Sequence, residues 1–337
     1  MRHVFWLVFL PALAVGCGTG SVSVDVVEPT VTLFADDDAS ARVESTTTVV
    51  PAAILAALDP TELPAPRSEA PGVVILEGIA APVTASSVDG WAVTTPCGSN
   101  RDGAAPAPIS ALVALDPAGD ARTVPGSLAL TRNEAIAEAT RSRLVAAGIE
   151  TLVTRTAGAD LAASYRREAA AASGALVVVS IATVEGGAAT GTVPALEVVH
   201  PAADESGRRL AGLVHAAVAP VVGELSVPWP ADVEPGVRAV LNQRGDDYFA
   251  MLREPMDAAR VVLHLPVSLD AASAVANQQN RRLIADALAE AIAEHLVSDR
   301  EGSGFVAPPE VVRNAPISDA SAACVDPLAV MAELADD

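Results

Sequence analysis

The sequence predicts an α/β domain, a mainly parallel twisted sheet flanked by helices, spanning residues 109–298. Two observations predict it. Between 109 and 296, short apolar runs alternate with helix-period segments, the strand–helix–strand order that a parallel sheet covered by helices requires. The closing segment "QNRRLIADALAEAIAEHL" places Leu283, Ile284, Ala287, Leu288, Ala291, Ile292 and Leu296 at helical spacing on one face, which a core must receive. Hydrophobic residues make up 51% of the 337 and aromatics only 3%, so Ala, Val and Leu fill that core.

The elements follow in order. "ISALVALDP" (109–117) reads as a buried strand ending at Asp116. "TRNEAIAEATRSRLVAAG" (131–148) reads as a helix, with Thr131 and Glu134 as a capping box and Gly148 as its stop. "ETLVTR" is the next strand and "ADLAASYRREAAAASG" the next helix. "ALVVVSI" (175–181) is a strand with Ala182 as the first residue past it, and "EGGAATG" (185–191) reads as a loop. After "ALEVVH" comes a helix around "ESGRRLAGLVHAAVAPVV", then a looser stretch to Gly245, then the strand "ARVVLHL" and the closing helix.

What precedes the domain is an export signal. Arg2 and His3 lead an apolar run from Val4 to Val15, too short for a permanent membrane span and suited to a signal-peptide core. It ends "AVGC", which resembles a bacterial lipobox with Cys17 as the lipidated first residue, so residues 1–17 read as a lipoprotein signal. The expectation is an extracytoplasmic protein anchored by lipid to the cell membrane. Residues 18–71, rich in Ser, Thr, Pro and acid, read as a tether apart from a helix-like piece at "PAAILAALDP"; a coil of roughly 55 residues spans about 40 Å. Residues 72–108 read as a short β lead-in and 299–337 as a C-terminal tail. Setting Cys17 aside leaves Cys97 and Cys324, an even pair in an oxidising compartment: either a disulfide pinning the tail, or two separate thiols.

The net charge of −21, with every basic side chain an Arg, excludes a nucleic-acid partner, since phosphate binding needs a basic face. Gly-x-Ser-x-Gly elbows, phosphate loops and Cys/His zinc spacings are absent.

In order and spacing, several pieces resemble the zinc-dependent N-acetylmuramoyl-L-alanine amidases, exported actinobacterial members included. They are the lead-in "GWAVTTPCG", "ALDP" at the opening of the first loop, Asn133 in the first helix, "GIETLVTR", Arg166, Ser180–Ile181 and "GDDYFAMLRE". The resemblance implies a zinc site with an open position, held by a His after the first strand, a Glu at the next helix start and a His after Ser-Ile, with a catalytic Glu ending a later strand. Laid over this chain, those positions carry Gly119, Ala129, Ala182 and His264. Gly and Ala offer no ligand atoms, so the resemblance implies that the family zinc is lost, that there is no catalytic residue and no cofactor, and that the domain is a pseudoenzyme.

The function expected is a membrane-anchored module binding a peptidoglycan fragment or a cell-wall protein, with Arg166, Arg253 and His264 as candidate ligand contacts. Both arginines read equally as ion-pair residues, and His264 as a partnered interior histidine. The alternative is an active amidase with a rearranged metal site drawn from His264, Asp116, Asp120, Glu185 and His200.

Overall fold

The chain joins the domain earlier than its composition implies. The computed structural model describes residues 54–67, 69–87, 90–104, 106–118, 128–155, 161–185, 196–224, 236–253, 256–267, 277–312 and 326. All of these belong to one compact unit, Val49–Asp337. The signal segment, the Cys17 lipobox and most of the tether lie outside them. The short helix α1 (Ile54–Ala57) packs Ile54 and Leu55 against the main core, followed by Leu58 and Leu63. The Leu55 amide donates to Glu290 Oε2 at 3.0 Å. The end of the stretch read as tether is therefore docked, because it carries enough Leu and Ile to bury.

The lead-in folds as its own antiparallel sheet, β1 (Val73–Leu76), β2 (Ile79–Ser87), β3 (Gly90–Thr94) and β4 (Asn100–Gly103), in that spatial order. Trp91 closes it: its indole N–H donates to Pro106 O at 2.8 Å, and Gly103 lies so near the ring that a Cβ there would collide with it. Cys97, in the loop between β3 and β4, is disulfide-bonded. The other two cysteines fall outside the described residues.

The central sheet has six strands: β5 (Val113–Pro117), β6 (Thr151–Val153), β7 (Val177–Glu185), β8 (Glu197–Val199), β9 (Gly236–Arg238) and β11 (Ala259–Val267), in the spatial order β6-β5-β7-β11-β8-β9. All pairings are parallel except β8 with β11. The mainly parallel sheet flanked by helices is thus present. Its helices are α2 (Leu128–Ala146), α3 (Ala163–Ala172), α4 (Glu205–Glu224) and α5 (Gln278–Val297). Val113, Leu115, Val177, Val179, Ile181, Val261, Leu263 and Leu265 point to the face shared with α2, α4 and α5; Ala114, Val178 and Val262 point to the other, shared with α3. Strands covered on both faces carry unbroken apolar runs for this reason.

Several elements differ from the sequence reading. α2 starts at Leu128, so Thr131 lies inside the helix and is not its cap; the stop at Gly148 holds, with φ +82. β7 continues to Glu185, so Ala182 is within the strand. The looser stretch contains β9 and a two-residue strand β10 (Val240–Leu241), too short for a periodic signal. On α5 Leu283 is 41% exposed, while Ala285, Ala289 and Ala293 are buried: with Ala on most sides the helix sinks in nearly all round. The tail also docks. Phe305 bridges Val237, Arg208 stacks over its ring at 4.1 Å, and β12 (Glu310–Val311) pairs with β10.

Candidate functional site at the carboxyl edge of the sheet

Register brings the candidate residues together. Asp116 stands opposite Ser180 across β5 and β7, and Ala182 opposite His264 across β7 and β11. Side chains two apart share a face, so Asp116, Ser180, Ala182 and His264 all lie on the α3 side of the carboxyl edge, where open α/β sheets bind ligands.

On the β5–β7 half the polar groups are consumed internally. Asp116 is 0% exposed. Its Oδ1 accepts from Thr154 Oγ1 and Arg166 Nε, each at 2.7 Å, and its Oδ2 from Ser180 Oγ at 2.7 Å. Burial alone would raise the carboxyl pKa. The charge and hydrogen bond of Arg166, with Arg155 and Thr154, outweigh it and hold Asp116 below its usual value. Arg166, 2% exposed, also donates to Leu161 O, and Arg155 donates to Pro117 O at 3.0 Å. The ion-pair reading of Arg166 fits this geometry. Asp116, read from sequence as the end of the first strand, is the centre of a buried network.

Asn133 ties the edge together. Its Nδ2 donates to Ala118 O at 2.7 Å and its Oδ1 accepts from the Thr183 amide at 2.9 Å, so α2 clamps the loop after β5 to the end of β7.

The β11 half holds the more accessible groups. His264, its side chain 12% exposed, has Nδ1 2.6 Å from Glu197 Oε2 and packs edge-on against Phe249, centroids 4.9 Å apart. The acceptor carboxylate places the ring proton on Nδ1. Glu197 Oε1 lies 3.8 Å from Arg238 Nε, whose Nη1 is 3.6 Å from Glu310. Sequence reasoning missed Glu197 because its strand is three residues long and antiparallel, and direction leaves no periodic signal.

The same reversal corrects the rearranged metal set. β8 runs against β11, so Glu197 faces His264 and His200 emerges at the opposite, amino edge, bonded through Nδ1 to Pro201 O at 2.9 Å. Burial lowers its pKa, more than the Pro201 hydrogen bond raises it. Arg253 is there too: its Nε donates to Asp247 O at 3.0 Å, and it lines a cleft of about 1260 Å³ with Arg244, Asp246 and Arg260. That cleft is the larger cavity described, yet it lies across the sheet from the candidate edge. Gly119, Asp120 and the side chains of Ala129 and Glu185 fall outside the described residues.

Zinc needs three or four N, O or S donors about 2.0–2.3 Å from one point. Among the described residues no three His, Cys, Asp or Glu are so grouped. Ala182 has no donor atom, Asp116 is committed to Arg166 and Ser180, and His264 is held by Glu197. The described donors do not fit the metal. No helix among the described residues is long and apolar enough to cross a membrane.

No family model and no curated protein matches the chain. Solved structures do resemble it. The catalytic domain of CwlV, an N-acetylmuramoyl-L-alanine amidase from Bacillus (Paenibacillus) polymyxa var. colistinus, is 21% identical over 55% of this chain and 97% of its own, with a TM-score of 0.44. The amidase AmiC2 of Nostoc punctiforme gives 21%, 55%, 97% and 0.43. The CwlD amidase from Clostridioides difficile, in complex with the GerS lipoprotein, gives 16%, 56%, 98% and 0.43. The likeness is one of layered architecture, at a level that says nothing of chemistry.

Proposed function

We propose that this chain is a lipid-anchored module on the outer face of the cytoplasmic membrane whose amidase-like domain binds a peptidoglycan fragment or a cell-wall protein without hydrolysing the N-acetylmuramoyl-L-alanine bond. One observation carries it: the carboxyl edge has the layout of an α/β site, yet its described side chains bond one another or, like Ala182, carry no donor at all. Amide hydrolysis at neutral pH needs a comparable attacking group, which zinc-bound water supplies in the resembled family. The motif order of the sequence, with Ala182 and His264 adjacent at one edge, supports the amidase-like assignment.

Anchoring rests on the "AVGC" lipobox at Cys17. The pairing of Cys97 with Cys324 is supported by the neighbourhood of Asp326, whose charge, after burial, helps raise the Tyr165 phenol. Tyr165 in turn donates to Thr94 O at 3.0 Å, three residues before Cys97.

Incubation of the purified chain with sacculi and with soluble muropeptides tests the function. The expected result is binding with no release of stem peptide. Peptide release that a chelator abolishes would instead establish the alternative, an amidase with a rearranged metal site. Cys17→Ser is expected to move the protein from the membrane to the soluble fraction.

A further inference from the structure

Across β11, β8 and β9 the sheet carries a row of polar side chains on its α3 side. Glu197 is registered against His264, and Arg238 against Val199, two residues from Glu197 and so on the same face. His264 Nδ1 lies 2.6 Å from Glu197 Oε2, Glu197 Oε1 lies 3.8 Å from Arg238 Nε, and Arg238 Nη1 lies 3.6 Å from Glu310 of the docked tail. The row fixes the imidazole from behind. A carboxylate only accepts, so Nδ1 carries the ring proton and, in the neutral ring, Nε2 keeps its lone pair. Arg238, 5% exposed and permanently charged, stands behind the carboxylate, and Phe249 packs edge-on against the ring with centroids 4.9 Å apart.

The ring is oriented and still reachable. The His264 side chain keeps 12% of its surface exposed. Ala182, opposite it on β7, is only partly buried and sets no more than a methyl group beside it. Both stand at the carboxyl edge, where open α/β sheets take their ligands. Asp116, an acceptor at the same edge, spends its oxygens on Thr154, Arg166 and Ser180.

We infer that His264, in its neutral Nδ1–H form, reads the bound molecule: Nε2 accepts a hydrogen bond from an amide N–H or a hydroxyl of the ligand, and Glu197 is the residue that positions it. The choice of a wall fragment as that ligand rests on the proposed function; the tautomer and the acceptor do not. An acceptor fixed in this way discriminates. A donor placed against Nε2 is satisfied, whereas a carbonyl or carboxylate oxygen in the same place meets a lone pair and loses its own hydrogen bond to water.

The test uses the full chain with isotope-labelled histidine, whose ring-nitrogen NMR signals separate the two tautomers, at about pH 8, above the ordinary histidine range. The chain has five histidines, and the His264 signal is the one missing from His264→Phe. The expected result is a proton on Nδ1 and a bare Nε2, with the preference lost in Glu197→Ala. A proton on Nε2 in the wild type, or a spectrum that Glu197→Ala leaves unchanged, would overturn the inference. Diethyl pyrocarbonate, which acylates an accessible unprotonated imidazole nitrogen, should label His264 in the wild type; a His264 that stays unlabelled would overturn it as well. Soluble muropeptides should slow that labelling and bind about tenfold more weakly to His264→Phe, the loss expected when a ligand donor is left without its acceptor. Muropeptides that bind both chains alike and leave the labelling unchanged would overturn the His264 contact and leave the wall-ligand reading standing. If His264 shows the Nδ1–H form and is labelled, yet neither muropeptides nor sacculi bind, the acceptor stands and the wall-ligand reading falls.

Discussion

The two edges of the central sheet handle polar groups in opposite ways. At the carboxyl edge, two of the buried groups face a partner of opposite character: Asp116 is answered by Arg166 and His264 by Glu197. At the amino edge, groups are left with little company. Among the described residues, His295 is buried with no hydrogen-bond partner at Nδ1 and Asp204 has a buried oxygen without one, while Arg253 borders an open cleft. Among the described residues, the side chains Asp116, Ser180 and His264 at the carboxyl edge are held by one another or by neighbours in the fold. The comparison teaches that position in the fold does not by itself make a reactive site; uncommitted donor atoms do.

Substitutions and pH separate the edges. The largest effect is expected from Asp116→Ala, which leaves Arg166 buried without its counter-charge: a loss of about 3–5 kcal/mol in urea unfolding. A cost under about 1 kcal/mol would mean that the carboxyl edge is not held by this pair. The next effect is acid destabilisation. Burial, followed by the charge of Arg209, lowers the His295 pKa from 6.5 to about 4, and burial lowers that of His200. A histidine with a lowered folded pKa takes up its proton more readily when unfolded, so stability falls as pH drops from 6.5 toward 4, by up to about 1.4 kcal/mol per unit for one group. Asp116, with its folded pKa depressed, contributes above its unfolded value and is lost only below about pH 4. Unfolding measured across this range should show the amino edge failing first, and His295→Gln should flatten the upper part of the profile.

Smaller effects sharpen the account within the carboxyl edge. Asn133→Ala removes two hydrogen bonds that clamp β5 to β7 and should cost about 1–3 kcal/mol, with faster amide exchange at Thr183. His264→Ala should cost only about 1 kcal/mol, since Glu197 keeps Arg238 nearby. A loss as large as that of Asp116→Ala would place the two halves of this edge on equal footing.

Much of this was legible in sequence. The alternation of Val-rich runs with Ala-rich helices specified the sheet and its cover, and the spacing of Ser180 and His264 along their strands put them at one edge. Direction was not legible: three residues at β8 carry no sign that the strand runs antiparallel, and that reversal moved His200 away and brought Glu197 in. The partners of Asp116 come from three separate elements, so only tertiary pairing reveals them. Docking of 54–67 and 299–312 was hidden because each buries only a few apolar side chains, such as Leu55 and Phe305, within otherwise polar or Gly- and Pro-rich sequence.

Metal content is the most direct test of the central claim. The purified full chain, equilibrated with zinc and then desalted, should carry none above background and release no peptide from sacculi. One zinc per chain, with peptide release that rises and falls with it, would contradict the account.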